Sequence, residues 1–276
     1  MVDFIGVGAQ KSGTSWVYAC LYEHPEICAP VKEIHFFSRP RFEKGKDWYE
    51  NHFRNCDQTK KKGEFSTSYL YSEVTALRIQ EMYPDAKLIA ILRNPGDRAL
   101  SQYRNAIKAG EIKEDISFEL YRAQEKSVIN QGKYFEQLVR YIELFPPEQL
   151  LVLVYEDIKK DPKAFMQNIY RFLEIDDTFE ASALYKEVNI GRTPKSVCIG
   201  RIMHHIAEGL RSIGMDKFVH TIRKMGLPDF IHSLNTKKSN PIAVVDKSVL
   251  AQYFIEDTTK LSELLKRDLI HEWDIV

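Results

Sequence analysis

A chain of 276 residues, 44% of them hydrophobic, is long enough to bury one large core, and we expect a single domain over residues 1–276. Lysine plus arginine and aspartate plus glutamate each total 39, so the formal net charge is zero and the chain lacks the global basic charge typical of nucleic-acid binding. We therefore expect no nucleic-acid partner, and any anion site must be local.

Membrane and redox features are also restricted by the sequence. No apolar run approaches the roughly 20 residues that a helix needs to cross a bilayer, so we predict no transmembrane segment. Cys20, Cys28, Cys56 and Cys198 show neither a CxxC pair nor a spacing typical of metal ligands. This pattern favours reduced thiols over a disulfide framework and predicts a cytoplasmic protein without a metal site.

The first apolar run ends in a loop with the composition of a phosphate site. Residues 4–16 read F-I-G-V-G-A-Q-K-S-G-T-S-W, which predicts a buried parallel strand, a loop of small residues and a helix N-terminus. Backbone N–H groups of such a loop can approach an anion, and Lys11 would supply a full positive charge. The ATP and GTP loop has Gly directly before its Lys, whereas Gln10 holds that place here. An ordinary tight connection is the alternative.

The segment at residues 29–38 combines a base, an acid, an imidazole and two aromatic rings. Glu33 and His35 are two residues apart, so on an extended segment they project from the same side, and either could act as a general base. A solvated glutamate and a structural histidine between core phenylalanines would have the same pattern.

The strongest strand signal is the run K-L-I-A-I-L at residues 87–92. Arg93 follows at its carboxyl end, and Ser101 lies about one and a half turns into the next predicted helix, close to where open α/β sheets bind ligands. A guanidinium can grip a phosphate through two hydrogen bonds, and a hydroxyl can share it. Alternatively, Arg93 caps the sheet edge or pairs with Asp97.

Strands and helices alternate along residues 1–175, and residues 150–154 predict another buried strand. The alternation predicts right-handed βαβ crossovers and an α/β fold with a P-loop-like three-layer architecture, in which helices flank a central parallel sheet. A helical C-terminal region is predicted over residues 197–276, with a clear final helix at 249–265.

Between these parts, the polar loop at residues 189–196 contains Gly191, Arg192 and Lys195. Its two cations fit either a second anion clamp or an ordinary solvated connection.

Taken together, these motifs resemble the sulfotransferases that use 3′-phosphoadenosine 5′-phosphosulfate (PAPS), especially the branch of heparan sulfate N- and 3-O-sulfotransferase domains and their bacterial relatives. Residues 10–15 are similar to the 5′-phosphosulfate loop of that family. Arg93 and Ser101, in Arg-Asn-Pro-(x)5-Ser, are similar to its 3′-phosphate site. Residues 32–37 are similar to its Lys-Glu-x-His-Phe-Phe segment. The resemblance covers most of residues 3–196.

The resemblance implies transfer of a sulfuryl group from PAPS to a hydroxyl or amine of a glycan, lipid or small molecule, by in-line displacement without a metal. Lys11 would stabilise the leaving oxygen, and Glu33 would take the acceptor's proton, with His35 as the second candidate base. Residues 1–196 would form the nucleotide-binding core, and residues 197–245 would form either an acceptor lid or a structural cap. The donor-binding residues that the resemblance implies are Gln10, Lys11, Ser12, Gly13, Thr14, Ser15, Trp16, Arg93, Ser101, Gly191, Arg192 and Lys195.

Two other functions compete with this one. An ATP-dependent phosphotransferase of the P-loop kinase type is disfavoured by Gln10 and by the lack of an evident Mg²⁺-binding aspartate after the strand that precedes Arg93. A catalytically silent nucleotide binder is disfavoured because it would need no base such as Glu33. The acceptor and the oligomeric state stay open.

Two departures from the family pattern bear on the acceptor and on the type of member. The heparan 3-O enzymes carry a lysine where residues 64–69 have none, which puts an acidic-polysaccharide contact in doubt. The Golgi enzymes also form a disulfide near the loop that corresponds to residues 189–196. Here Cys198 is the only cysteine in that region, so the disulfide is missing, which fits a bacterial or cytosolic member.

Overall fold

The computed structural model describes residues 2–113, 115–185, 193–194, 236–237 and 248–275. The chain forms two compact units. The first comprises residues 1–99, 129–188 and 247–276, and the second comprises residues 100–128 and 189–246.

The first unit is built on a five-stranded sheet in which neighbouring strands are parallel. In chain order the strands are β1 (Phe4–Gly8), β2 (Ile27–Cys28), β3 (Lys61–Phe65), β4 (Lys87–Leu92) and β5 (Leu150–Val154). Their order in the sheet is β2-β3-β1-β4-β5. The predicted α/β fold with a central parallel sheet is confirmed. The two-residue strand β2 was not predicted, because it is too short to produce an apolar run.

The α-helices in chain order are α1 (Thr14–Glu23), α2 (Gly45–Glu50), α3 (Thr75–Met82), α4 (Pro95–Ala109), α5 (Phe118–Gln124), α6 (Ser127–Asn130), α7 (Tyr134–Ile142), α8 (Tyr155–Lys160), α9 (Pro162–Leu173), α10 (Ser248–Ala251), α11 (Ile255–Leu265) and α12 (Leu269–Glu272). Short 3-10 helices lie at Pro40–Lys44, Asn51–Phe53, Pro147–Gln149 and Ser182–Tyr185. In the second unit, β6 (Thr193–Pro194) pairs antiparallel with β7 (Thr236–Lys237).

The predicted final helix is interrupted once, between α10 and α11. The break buries the ring of Phe254, and a Cβ atom on Gly132 would lie only 2.8 Å from that ring. Directly after the break, the Asp257 carboxylate accepts hydrogen bonds from Tyr134 N at 2.7 Å and Phe135 N at 3.2 Å. A carboxylate on α11 therefore caps the N-terminus of α7, where the preceding residue provides no side-chain cap.

The strand register brings several loops to one edge of the sheet. Leu92 lies opposite Val154, and β1 runs alongside both β3 and β4. Because the strands are parallel, the segments that follow β1, β3, β4 and β5 all emerge at the carboxyl edge. The close approach of β1 to β3 requires glycine at position 6, since a Cβ atom there would lie 2.0 Å from the Phe65 ring. The predicted phosphate loop and Arg93 therefore meet at this edge.

Two apolar clusters hold the sheet in place. In one, α1 and α9 contribute residues such as Val17, Leu21 and Ile169, which pack with sheet residues such as Phe4. The other is a cluster of buried rings on and around the segment after Ala29, formed by Phe36, Phe37, Tyr49, Tyr69 and Tyr83. Phe36 and Phe37, which directly follow His35 in the chain, anchor the segment that carries Glu33 and His35 in this second cluster.

Cys28 and Cys56 form a disulfide, with their Cα atoms 5.8 Å apart. The prediction of reduced thiols is therefore wrong for this pair. The spacing gave no signal because the fold, rather than sequence proximity, brings the end of β2 next to the turn after residues 51–53. Cys20 is a buried free thiol, and Cys198 lies outside the described residues. The predicted cytoplasmic location, which rested partly on reduced thiols, is untested.

None of the helices in the described ranges has both the length and the apolar character that spanning a bilayer requires.

Candidate functional site

The loop after β1 is a compact turn that leads straight into a helix. Gly13 has a φ of 80°, which permits the turn, and α1 begins at the next residue. Ser12 and Thr14 are buried, Lys11 is half-buried, and Gln10 and Ser15 are exposed. The first turn of α1 therefore presents its N–H groups beside Lys11, as an anion site requires.

Trp16 differs from the other residues predicted on this loop. Its indole Nε1 donates to the Ala183 carbonyl at 3.0 Å, and its backbone N–H donates to the Gly13 carbonyl at 2.9 Å. Both N–H groups are thus bonded within the protein, which places Trp16 in the framework that supports the loop.

Arg93 lies beside this loop, as predicted. Its Nη1 donates to the Lys11 carbonyl at 3.0 Å, and its guanidinium carbon lies 4.6 Å from the centre of the Tyr155 ring. The Arg93 Nε is buried and has no hydrogen-bond partner among the residues that the structure describes. The same tyrosine closes over the turn, because a Cβ atom on Gly13 would lie 2.8 Å from its ring. Arg93 therefore caps the loop and also retains a buried donor for a further acceptor.

Ser101 lies on α4, in the part of that helix that belongs to the second unit, and it is half-buried. Its predicted cooperation with Arg93 stays a prediction. Gly191, Arg192, Lys195 and most of the predicted acceptor lid lie outside the described residues.

The turn between β4 and α4 is held by residues that sequence reasoning missed. Asn94 caps α4 by accepting from Asp97 N at 3.0 Å, and its own N–H donates to Glu156 Oε1 at 3.2 Å. Trp273 Nε1 donates to Glu156 Oε2 at 3.1 Å, and its carbonyl accepts from the Asn94 amide. Asn followed by Pro is a recognisable helix start, but no local pattern indicates the distant Trp273.

Glu33 and His35 meet, but on a bent segment rather than the extended one that we predicted. Their φ angles are 64° and 54°, in the left-handed region. His35 Nε2 lies 3.1 Å from Glu33 Oε2. The Glu33 carboxylate also accepts from Lys32 Nζ at 2.8 Å and from Thr67 N at 3.1 Å, and about 30% of its side chain is exposed. The two candidate bases thus form one hydrogen-bonded pair at the surface of the site.

The charges around this pair determine its protonation. Burial raises the pKa of Glu33, but the Lys32 ammonium, His35 and the Thr67 amide outweigh it and hold the pKa below the ordinary value. Burial lowers the pKa of His35 to about 4, an effect reinforced by Arg39 and Arg41 and opposed by Glu33. At neutral pH, Glu33 is therefore ionised and His35 is neutral.

These protonation states assign the hydrogen bonds of the imidazole. Nε2 carries the proton and donates to Glu33, and Nδ1 accepts from the Ser68 hydroxyl at 2.7 Å. The lone pair that His35 would need as a base is thereby occupied. Of the two groups, the Glu33 carboxylate is therefore the one that can accept a proton.

In the part of the chain that the structure describes, no group of three or more His, Cys, Asp or Glu side chains is arranged to hold a metal ion.

Known proteins with similar sequences include bifunctional enzymes that are named for heparan sulfate. The human bifunctional heparan sulfate N-deacetylase/N-sulfotransferase 3 is 31% identical over 193 residues, which is 62% of this chain and 22% of that protein. The mouse bifunctional heparan sulfate N-deacetylase/N-sulfotransferase 4 is 24% identical over 285 residues, covering 96% of this chain and 30% of that protein. The chain therefore matches less than a third of the length of these curated relatives.

A solved structure and a family profile extend the comparison. The crystal structure of a sulfotransferase from Alicyclobacillus acidocaldarius superposes with a TM-score of 0.70 and 25% identity over 99% of both chains. The sulfotransferase domain of the curacin biosynthetic pathway, with a TM-score of 0.52 and 15% identity over 68% of this chain and 79% of that chain, shares the fold. The profile of the Sulfotransferase domain family matches residues 2–193, most of the chain. The protein described here is accordingly a member of the sulfotransferase domain family, as its motifs predicted.

Proposed function

We propose that this chain transfers the sulfuryl group of PAPS to an amine or hydroxyl of an acceptor and releases 3′-phosphoadenosine 5′-phosphate (PAP). The observation that carries the proposal is the hydrogen bond from Arg93 to the Lys11 carbonyl. It joins the residue proposed to bind a 3′-phosphate to the loop proposed to bind a 5′-phosphosulfate. A nucleotide with one phosphate at the 3′ position and another at the 5′ position fits Arg93 and the loop better than a nucleoside triphosphate, whose phosphates are all attached at the 5′ position.

The residues present fit such a donor. The N–H groups at the start of α1 and the Lys11 ammonium would hold the 5′-phosphosulfate. The buried Arg93 Nε, which has no hydrogen-bond partner in the described part of the chain, would donate to the 3′-phosphate. PAPS supplies an activated sulfuryl group. Lys11 would neutralise the charge that develops on the oxygen from which that group departs. We propose no metal for this chemistry.

Glu33 is the proposed general base. Its carboxylate is ionised at neutral pH, partly exposed, and held by Lys32 and Thr67 rather than by a buried counterion. It would accept the proton that the acceptor N–H or O–H loses as the new bond to sulfur forms. His35, which donates to Glu33, would orient the carboxylate. Attack in line with the leaving oxygen needs mainly this positioning and little covalent help from the protein.

The acceptor is proposed as a class only. The curated relatives are named for N-sulfation of heparan sulfate, so a glycan amine is the first candidate, with hydroxyls of glycans, lipids and small molecules next. A panel of these acceptors, incubated with PAPS labelled in the sulfuryl group, identifies the acceptor by transfer of the label.

Donor binding tests the proposal independently of the acceptor. We expect PAP to raise the melting temperature far more than ADP or AMP at equal concentration, without added Mg²⁺. At a PAP concentration about 100 times Kd, the expected stabilisation is about 2.7 kcal/mol. Differential scanning fluorimetry measures the shifts, and equal shifts from PAP and ADP would refute the donor assignment.

Arg93→Ala is expected to weaken PAP binding roughly 10- to 100-fold, because a charge-assisted hydrogen bond to the 3′-phosphate is lost. AMP has no 3′-phosphate, so its affinity should change much less, and calorimetric titration with both ligands separates the two effects. Arg171→Ala is the matched control, since that arginine pairs with Asp177 on the surface of α9. If the affinities for AMP and PAP fall by a similar factor, Arg93 only stabilises the loop and does not bind the 3′-phosphate.

A further inference from the structure

The loop from residue 33 to residue 37 has a backbone that needs external support. Glu33 and His35 both have φ angles in the left-handed region, at 64° and 54°. Residues with a Cβ atom adopt this region rarely, and two of them within three positions persist only when surrounding groups fix the backbone. What fixes this loop also fixes the geometry of the Glu33 and His35 pair.

The first two supports lead to one buried carboxylate. Ile34 N donates directly to Glu64 Oε2 at 3.4 Å. His35 N donates to the Ser66 hydroxyl oxygen at 2.9 Å, and that hydroxyl in turn donates to Glu64 Oε2 at 2.6 Å. Each amide thus ends on Glu64, either directly or through one hydroxyl.

The next two supports lead to the other oxygen of the same carboxylate. Phe36 N donates to the Tyr69 hydroxyl oxygen at 2.9 Å, and Phe37 N reaches that oxygen at 3.5 Å. The Tyr69 hydroxyl donates to Glu64 Oε1 at 2.6 Å. Four consecutive N–H groups of the loop therefore connect to a single side chain.

The Glu64 side chain lies in a rigid part of the core, where burial is unfavourable for a charge. Glu64, Ser66 and Tyr69 are fully buried, and Glu64 lies on β3, which is paired with a strand on each side. Burial raises the pKa of Glu64 to about 7, against the opposing hydrogen bonds of Ser66 and Tyr69. A carboxyl that only stabilised the core could be replaced by an apolar side chain, whereas one that organises a loop could not.

We propose that Glu64 is a positioning residue, which holds the loop of residues 33–37 in its left-handed conformation and thereby aims Glu33 at the acceptor. The inference rests on the proposed function, in which Glu33 is the base. Glu64 does not touch substrate. It acts through the backbone of the loop, with Ser66 and Tyr69 as intermediaries.

Glu64→Gln is the direct test, because it keeps the shape of the side chain and replaces one acceptor oxygen by an NH₂ group. In one orientation that group opposes the Ile34 N–H, and in the other the Tyr69 hydroxyl must turn its proton away to accept from it, so the network is disturbed either way. We expect kcat, measured with the acceptor found by the labelled-PAPS panel, to fall at least 10-fold. The affinity for PAP should stay within twofold, since the Lys11 loop and Arg93 receive no support from Glu64.

A second readout reports the loop without any turnover. The pKa of His35 is about 4 in its present surroundings, against an ordinary value of 6.5, and it can be followed by NMR titration of the imidazole. Release of the loop in Glu64→Gln should raise this pKa by at least one unit. Glu64, whose pKa is about 7, is itself neutral at the pH where His35 titrates, so its replacement by glutamine removes no charge there and a raised His35 pKa reports release of the loop.

Tyr49→Phe is the matched control. The Tyr49 hydroxyl also donates to Glu64 Oε1, at 3.3 Å, but it lies on none of the four paths from the loop amides. We expect kcat and the His35 pKa of this variant to match those of the wild type. If Glu64→Gln does not fold, Ser66→Ala serves instead, because it removes the His35 N–H support and keeps the carboxylate.

The outcomes are distinct. A lower kcat with an unchanged PAP affinity and a raised His35 pKa supports the inference. Wild-type kcat and an unchanged His35 pKa in Glu64→Gln, or in Ser66→Ala where that variant replaces it, overturn it. An equal loss of PAP affinity also overturns it, because the effect is then general. A wild-type protein that neither binds PAP nor transfers label from PAPS refutes the proposed function instead, and the His35 titration still decides whether Glu64 holds the loop.

Discussion

Glu33→Gln is expected to lower kcat by roughly 10²- to 10⁴-fold, the usual contribution of a general base, while PAP still raises the melting temperature as in the wild type. The amide keeps the size of the side chain but cannot accept the acceptor's proton. Labelled transfer from PAPS gives kcat, and scanning fluorimetry with PAP gives donor binding. Loss of both would show that the substitution disturbs the whole site.

His35→Gln is the matched variant for this test. Glutamine retains an N–H group that can donate to Glu33, so we expect kcat to fall less than 10-fold, consistent with an orienting role. Turnover that survives in Glu33→Gln and disappears in His35→Gln would transfer the role of base to His35.

The pH dependence of kcat/KM in the wild type tests whether the base has the lowered pKa of Glu33. A base must be ionised to work, and the pKa of Glu33 lies below its ordinary value of 4.5. As far as Glu33 is concerned, kcat/KM should therefore stay level from neutral pH down to about that value and fall only below it, provided that circular dichroism shows a folded protein. Glu64, with a pKa of about 7, titrates in between, so the profile is measured in the wild type and in Glu64→Gln, where that titration is absent. A fall centred near 6.5 that persists in Glu64→Gln would instead indicate a base with the pKa of an ordinary histidine.

The second large effect concerns the disulfide between Cys28 and Cys56. Its removal in a Cys28→Ser, Cys56→Ser double variant is expected to lower the free energy of unfolding by about 3.5 kcal/mol, because the sequence separation of 28 residues leaves a long loop free in the unfolded chain. The melting temperature should fall by on the order of 10 °C. Scanning fluorimetry of both proteins, with and without reductant, measures the difference.

The reductant provides the control for this experiment. The wild type should lose stability when reduced, and the double variant should not respond. A wild type whose melting temperature is the same in both buffers, with free thiols at both positions by peptide mass spectrometry, would contradict the prediction.

Features coded locally could be predicted from the sequence. The apolar run at residues 87–92 and the arginine that follows it sufficed to place Arg93 at the sheet edge, because the carboxyl ends of parallel strands meet there. The small residues around Lys11, Gly13 among them, likewise sufficed for the turn into α1. That Glu33 and His35 lie on the same side was also expected from their spacing, although on an extended backbone, whereas their hydrogen bond to each other was not predicted.

Features that depend on distant contacts could not be predicted. The role of Glu64 arises only when β3 lies beneath a loop 30 residues earlier in the chain, and the support from Trp273 comes from 179 residues beyond Asn94. Single-sequence patterns report periodicity and local chemistry, and neither encodes such pairings. The Cys28 and Cys56 disulfide belongs to the same class.

The cap that Asp257 places on α7 has a consequence for biosynthesis. The first unit is assembled from three separate stretches of chain, and its last stretch supplies both this cap and the Trp273 contact with the turn after β4. A nascent chain that has emerged only as far as α9 already contains every strand of the central sheet, yet the N-terminus of α7 still lacks its partner. The N-terminus of α7 and the turn after β4 therefore reach their final hydrogen bonding only after residues 248–275 have been synthesised.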